Sequence, residues 1–233
     1  MRAFLHFCAY HVTRLAAKLV FAWSAKVRVS GRQHARRRGA FILAANHISH
    51  FDPPIIATVV PRKVDWMAMA EFFPYPVLGH ILRAIECFPA DRHRADRKTI
   101  RTAIERLERG RIVGMFPEGG IRDGAASLLE GAPLRPGVST LAHIAGVPIV
   151  PCVIFGSDRL YAKHRWRPWN RAPIWIGFGE PVSPQTGLSK AEARAQTEAN
   201  LAEAFRKLST EMQNVFGLTR DDLPQPPRER MKQ

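Results

Sequence analysis

The chain has 233 residues, enough for one substantial core, and its 46% apolar content is that of a globular protein rather than a disordered one. Its 35 Lys and Arg against 20 Asp and Glu leave a net charge of +15, a surface suited to nucleic acid, anionic lipid or an acidic partner. The three cysteines, Cys8, Cys87 and Cys152, are scattered and odd in number, which suggests neither a disulfide framework nor a zinc site and fits a reducing cytoplasm.

The first element is MRAFLHFCAYHVTRLAAKLVFAWSA, apolar but interrupted by His6, His11, Arg14 and Lys18. No uncharged run reaches the roughly 20 residues of a spanning helix, and no signal-peptide cleavage pattern follows. His11, Arg14 and Lys18 share one helical face, while Phe4, Phe7, Cys8, Leu15 and Leu19 occupy much of the rest. Two readings fit: a helix lying in a membrane interface with Trp23 as anchor, or an amphipathic helix packed on its own domain. We expect residues 1–30 to be a membrane-associating helical segment, residues 31–217 one domain, and the Pro-rich, charged residues 218–233 a flexible tail.

After a basic turn at 31–39, AFILAAN (40–46) reads as a short strand. Asp52-Pro53 reads as a helix start, with proline at the first helical position and Asp52 as cap. KVDWMAMA (63–70) is a strand, and ECFPADR (86–92) a short edge or loop. A helix follows in ADRKTIRTAIERLERG, with Asp96 as cap, Ile100, Ile104 and Leu107 on one face, and Gly110 at its end. RIVGMF (111–116) is a buried strand running into Pro117-Glu118-Gly119-Gly120, and residues 137–145 are helical. Strands at 148–155 and 173–179 precede a long helix with a Ser189/Glu192 capping box and Leu201, Phe205, Leu208, Met212 and Val215 on one side. Strands alternating with helices predict one α/β domain with a central, largely parallel or mixed sheet flanked by helices.

The polar groups concentrate in AANHISHFDPP (44–54). On a regular helix His47 and Asp52 would stand about 140° apart and not meet. With His47 ending a strand and Asp52 starting a helix, the intervening turn can fold the carboxylate back to the imidazole. That contact fixes the ring's tautomer and makes the other nitrogen a general base. A turn histidine beside a capping aspartate is the simpler alternative. His47-x-x-His50 lacks a further ligand pair at metal spacing, Ser49 lacks the G-x-S-x-G elbow of a nucleophile and suits a turn-bracing hydrogen bond, and His50 is a bystander.

A second stretch, MFPEGGIRDG (115–124), ends a strand in two glycines followed by Arg122, whose guanidinium suits phosphate. NHISHFD and FPEGGIR, with CFPADR and GVPIVP in the same order along the chain, resemble the glycerolipid acyltransferase family, which includes the 1-acylglycerol-3-phosphate acyltransferases. The resemblance spans roughly residues 40 to 180. It implies that His47 and Asp52 are catalytic and that Arg92, Glu118, Gly119 and Arg122 bind the acceptor's polar head group, with Asn46 and Ser49 in support. It implies acyl transfer without a covalent acyl-enzyme, from acyl-CoA or acyl carrier protein to a lysophospholipid such as 1-acyl-sn-glycerol-3-phosphate. No metal or redox cofactor is needed, and the basic surface would meet an anionic membrane on its cytoplasmic face rather than nucleic acid.

Two departures bear on the acceptor. Gly120 and Ile121 both separate Glu118-Gly119 from Arg122, where the family has one residue. Met69 stands where many relatives carry lysine. A lysolipid with another head group is therefore an alternative acceptor. A thioesterase using the same base on water is another, and a non-catalytic basic module binding lipid or nucleic acid is an alternative of a different class.

Overall fold

The apolar run ending in Ala45 forms strand β2 (Phe41–Ala45), and all of its residues are buried. An unbroken apolar strand is stable where a sheet is covered on both faces. That sheet has seven strands in the computed structural model, which describes residues 2–91, 97–226 and 228. The other strands are β1 (Ala25–Ser30), β3 (Val64–Met69), β4 (Phe88–Ala90), β5 (Ile112–Met115), β6 (Ile149–Phe155) and β7 (Ala172–Phe178). Their spatial order is β1-β7-β6-β2-β5-β3-β4, and every neighbouring pair is parallel except β6 with β7. The sheet is thus mixed and mostly parallel, as the alternation of elements predicts.

The described helices are α1 (Arg2–Ser24), α2 (Arg32–Ala35), α3 (Asp52–Val59), α4 (Pro76–Ala84), α5 (Arg97–Glu108), α6 (Gly137–Ala145) and α7 (Lys190–Phe216), besides short 3₁₀ turns. Side chains alternate along a strand, so β2 feeds two cores. Phe41, Leu43 and Ala45 join Phe21 of α1 and Ile55 and Ile56 of α3. Ile42 and Ala44 join Leu107 of α5, Val138 and Leu141 of α6, and Leu201 and Phe205 of α7. The Ser189/Glu192 capping box is present at the start of α7, and Gly217 ends that helix in a left-handed conformation. Val215, expected on the buried stripe of α7, is exposed. Asp96, the expected cap of α5, lies outside the described residues.

Both ends of the chain differ from expectation. No break separates residues 1–30 from the domain, because β1 pairs in parallel with β7 as the edge strand of the sheet. Lys26 and Arg28 are exposed on it, and charged residues suit an edge. Residues 218–226 pack rather than trail: Leu218 and Leu223 lie against the second core, and Arg159 holds Asp222 at 2.8 Å. Of the two readings of α1, packing on its own domain is the one the contacts show. Tyr10 and Phe21 are buried, Arg14 donates to the carbonyls of Val60 and Pro61, and an opposite apolar face is open. Among the described residues no helix is long and apolar enough to cross a membrane.

Candidate active site

Parallel strands β6, β2 and β5 lie side by side, so their carboxyl ends open at one edge, where open α/β sheets place their ligands. Asn46 closes the end of β2. Its Nδ2 donates to the Ile154 carbonyl at 3.0 Å, and its Oδ1 accepts from the Ile154 amide at 2.8 Å. The side chain thus continues the ladder to β6 while the backbone turns out of the sheet, and His47 begins the turn.

α3 starts at Asp52, with Phe51 rather than Asp52 in the cap position and proline at the first turn. The Asp52 carboxylate does not cap forward; it folds back onto the turn. Its Oδ2 accepts from His47 Nδ1 at 2.8 Å and from the amides of Ile48 (2.8 Å) and Ser49 (2.9 Å). Its Oδ1 accepts from Ser49 Oγ at 3.0 Å and Ser157 Oγ at 2.5 Å. The carboxylate is fully buried, with two amides and two hydroxyls donating to it, and so stands as an acceptor toward the imidazole. The Nδ1 of His47 therefore carries the proton, and Nε2 is left with a lone pair. The His47 side chain retains 16% exposure. Ser49 braces the turn as expected, its Oγ also accepting from the Phe51 amide at 3.1 Å.

The imidazole lies on Phe116 at 4.0 Å between centroids, and Phe116 lies on Trp66 at 5.0 Å. Gly114 makes this stack possible, since a Cβ there would come within 2.6 Å of the Trp66 ring. Phe116, itself backed by Trp66, and the Asp52 carboxylate leave the His47 ring little freedom to turn.

β5 then delivers the second motif to the same place. Glu118 Oε2 accepts from the His47 amide at 2.5 Å, and Oε1 accepts from the Leu128 amide (2.9 Å) and Ser127 Oγ (3.1 Å). Burial pushes this carboxyl above its ordinary value, against the Leu128, His47 and Ser127 donors, which favour the charged form. The Arg122 amide donates to the His47 carbonyl at 2.8 Å. Both backbone polar groups of His47 are thus held by the FPEGGIR segment.

The residues expected at the head-group site fall differently. Glu118 is buried and turned to His47's backbone, while Gly119 has φ +68° and lies under the Arg135 side chain. Arg122 is partly exposed, its Nη1 donating to the Ile121 carbonyl at 3.1 Å. Arg92 lies outside the described residues. His50 Nδ1 is 2.6 Å from the Tyr161 hydroxyl, which also accepts from the His50 amide, and burial lowers the basicity of this ring. Its Nδ1 and that of His47 thus face different partners, and no cluster suited to a metal ion occurs among the described residues. Ser157, Trp66, Tyr161 and Arg135 are contributors that the sequence did not single out. Ser157 stands just past β6, 105 residues from Asp52, and nothing local in the sequence couples the two.

Comparison with known proteins places this geometry. The family model described as acyltransferase matches residues 26–155. A 1-acyl-sn-glycerol-3-phosphate acyltransferase of Bacillus subtilis is 29% identical over 207 residues, covering 86% of this chain and 96% of that protein. The human lysophospholipid acyltransferase LPCAT4 is 29% identical over 167 residues, 68% of this chain but 30% of that protein. The crystal structure of the 1-acyl-sn-glycerophosphate acyltransferase PlsC from Thermotoga maritima shares the fold, with a TM-score of 0.61 and 24% identity over 89% of this chain and 81% of that one. With its matched region reaching from β1 to the end of β6 and enclosing the His47–Asp52 turn, the chain belongs to the acyltransferase family of glycerolipid metabolism.

Proposed function

We propose that this enzyme esterifies the free hydroxyl of 1-acyl-sn-glycerol-3-phosphate with the acyl group of acyl-CoA or acyl carrier protein, giving phosphatidic acid. The observation that carries the reading is the Asp52–His47 pair, with Nδ1 engaged and Nε2 left as the base. In this mechanism Nε2 takes the proton of the acceptor hydroxyl as its oxygen attacks the thioester carbonyl. The tetrahedral intermediate collapses with loss of the C–S bond, and the imidazolium returns its proton to the departing thiolate. Asp52 stabilises the imidazolium without taking a proton, its oxygens being held by backbone amides and two hydroxyls. The Bacillus subtilis relative, whose name states this acceptor and whose length is almost fully matched, supports the substrate. The name of the human relative and the Met69 position favour a second reading, a lysophospholipid with another head group.

A lipid acceptor calls for a membrane surface, and the protein offers a face for one. Most of its exposed large apolar side chains lie on α1, α4 and the 163–171 loop, including Phe7, Leu19, Trp23, Val77 and Trp169. These elements are joined: His6 Nδ1 lies 3.2 Å from the Ala84 carbonyl of α4, and Trp23 Nε1 donates to the Trp166 carbonyl at 3.1 Å. Exposed Lys163, Arg167 and Arg171 border the two tryptophans, the combination that suits an anionic interface. In this reading the enzyme is peripheral, on the cytoplasmic face.

The test is acyl transfer by the purified protein from labelled acyl-CoA, and separately from acyl carrier protein, to a panel of lysolipids, beside His47→Ala and Asp52→Asn. Phosphatidic acid formation lost in both variants is the expected result. A product only with another lysolipid selects the second reading. Free fatty acid alone makes the chain a thioesterase, and no turnover with any donor leaves a binding module.

A further inference from the structure

β6 ends at Phe155, and the 3₁₀ turn Ser157–Tyr161 that follows touches the catalytic turn twice. Ser157 Oγ donates to Asp52 Oδ1 at 2.5 Å, and the Tyr161 hydroxyl accepts from the His50 amide at 3.1 Å. The two residues after Ser157 engage the other end of the chain. Asp158, which is buried, accepts from the Gln225 amide at 3.2 Å through Oδ2. Arg159 Nη2 donates to the Asp221 carbonyl and to Asp222 Oδ1, each at 2.8 Å.

The C-terminal segment is shaped to make these contacts. Gly217 stops α7, and Thr219 and Asp222 form a capping box around a second 3₁₀ turn, Arg220–Asp222. Asp222 Oδ2 accepts from the Thr219 amide (2.9 Å) and hydroxyl (3.0 Å), which leaves Oδ1 for Arg159. The pair is largely buried, with 12% of the Arg159 and 20% of the Asp222 side chain exposed, so breaking it costs more than breaking a surface pair. Leu223 and Pro224 also line a cavity of about 50 Å³ with Ser127, whose hydroxyl donates to Glu118. Residues 219–225 thus stand one layer behind Ser157, which bonds Asp52, and behind Ser127, which bonds Glu118.

We propose that Arg159 and Asp222 are positioning residues for acyl transfer, holding Ser157 against Asp52 and, through Asp52, the orientation of His47. The C-terminal segment is then part of the catalytic apparatus rather than a trailing end. The proposal rests on the reading of His47 as the base and Asp52 as its partner. In the competing arrangement β6 fixes Ser157 without help, since Gly156 (φ +81°) lies so close to Pro173 that a Cβ would stand 2.2 Å from its carbonyl oxygen.

The experiment measures kcat and both KM values in the full chain for Asp222→Asn, Arg159→Gln and Arg159→Lys, alone and combined with Ser157→Ala. Thermal melts accompany every variant. Asp222→Asn keeps an oxygen for the Thr219 cap while losing the charge that faces Arg159. It and Arg159→Gln are each expected to lower kcat roughly tenfold, the scale of a slight misplacement of a catalytic group, with KM values near wild type. Arg159→Lys keeps the charge and recovers part of the loss, because lysine lacks the fork. In the Ser157→Ala background the same changes should lower kcat by less than about twofold, because the link they act through is gone. A merely structural role lowers the melting temperature without making the kcat loss depend on Ser157. Unchanged kcat in folded Asp222→Asn and Arg159→Gln overturns the proposal, as do equal losses with and without Ser157 or a change confined to KM. Proton NMR gives a readout independent of turnover. The Nδ1 proton of His47, held by Asp52 at 2.8 Å, should resonate far downfield in wild type and shift or broaden in Asp222→Asn. That change in a protein that transfers no acyl group refutes the catalytic reading and leaves the positioning of Asp52 standing. A resonance identical in the two proteins refutes the positioning.

Discussion

The backbone amide of His47 donates a 2.5 Å hydrogen bond to Glu118 Oε2 across 71 positions of sequence. Both oxygens of a carboxylate expected to meet substrate are held by donors of the protein itself, and a positioning role for Glu118 carries its own prediction. In Glu118→Gln the amide nitrogen must face either the His47 amide or the Ser127 and Leu128 donors, leaving a buried donor unsatisfied. A stability loss of roughly 1–3 kcal/mol is expected in a denaturant melt. A fall in kcat of about tenfold or more should accompany it, since small misplacements of a base are costly. Wild-type stability with only a raised acceptor KM would instead put the carboxylate against the substrate.

Ser49 and Ser157 both donate to Asp52 Oδ1, one from the turn and one from beyond β6. Each alanine variant should lose about 1 kcal/mol of stability. Because they share one acceptor, their effects should not add, and a double-mutant cycle should return a coupling of at least about 0.5 kcal/mol. Strict additivity in that cycle argues that the two hydroxyls do not act through the same oxygen.

Acid stability should reveal the ion pairs behind β3. Burial alone would raise the Glu86 carboxyl, but hydrogen bonds from Arg111 and Lys63 outweigh it and hold it at about 2, below its ordinary 4.5. Between those values the unfolded chain binds more protons, so the contribution is present above pH 4.5 and is lost as pH falls toward 2. Glu86 is partly exposed, so the contribution is discounted to about 1 kcal/mol. The stability difference between wild type and Glu86→Gln should shrink over that window in urea melts at stepped pH. A difference that stays constant there excludes this source.

The apolar face makes a separate prediction. Trp169 is 78% and Val77 72% exposed, so replacing them costs the fold little. Trp169→Ala combined with Val77→Glu should weaken sedimentation with phosphatidylglycerol vesicles about tenfold or more, while the melting temperature holds. Replacing Lys163 or Arg167 with alanine should cost about 1 kcal/mol of vesicle affinity each, and less at high salt. Vesicle binding unchanged in all three variants would remove this face from consideration.

The His47–Asp52 contact was legible because a strand, a short polar turn and a proline-marked helix start leave the two side chains few places to go. Glu118's target was not legible, since a carboxylate in a motif does not declare a partner on another strand. The same holds for Ser157 and Arg135: they reach the site only because β6 and β5 flank β2, an order that no local pattern encodes. β1 was hidden by its position. Its alternation AKVRVS is short and lies between an apolar helix and a basic turn, so the helix's character dominated the reading of residues 1–30.

That strand also changes what the first helix is. A segment joined to a domain by loose chain acts as a tether, letting the catalytic centre wander by the length of the link. Here Ser24 ends α1 and Ala25 begins a strand hydrogen-bonded into the sheet, with no residue between them. The open face of α1 and the ring of His47 are therefore parts of one rigid lever. Whatever surface that face rests on, the standoff of the base from it is a dimension of the fold, and substrates must come to that height.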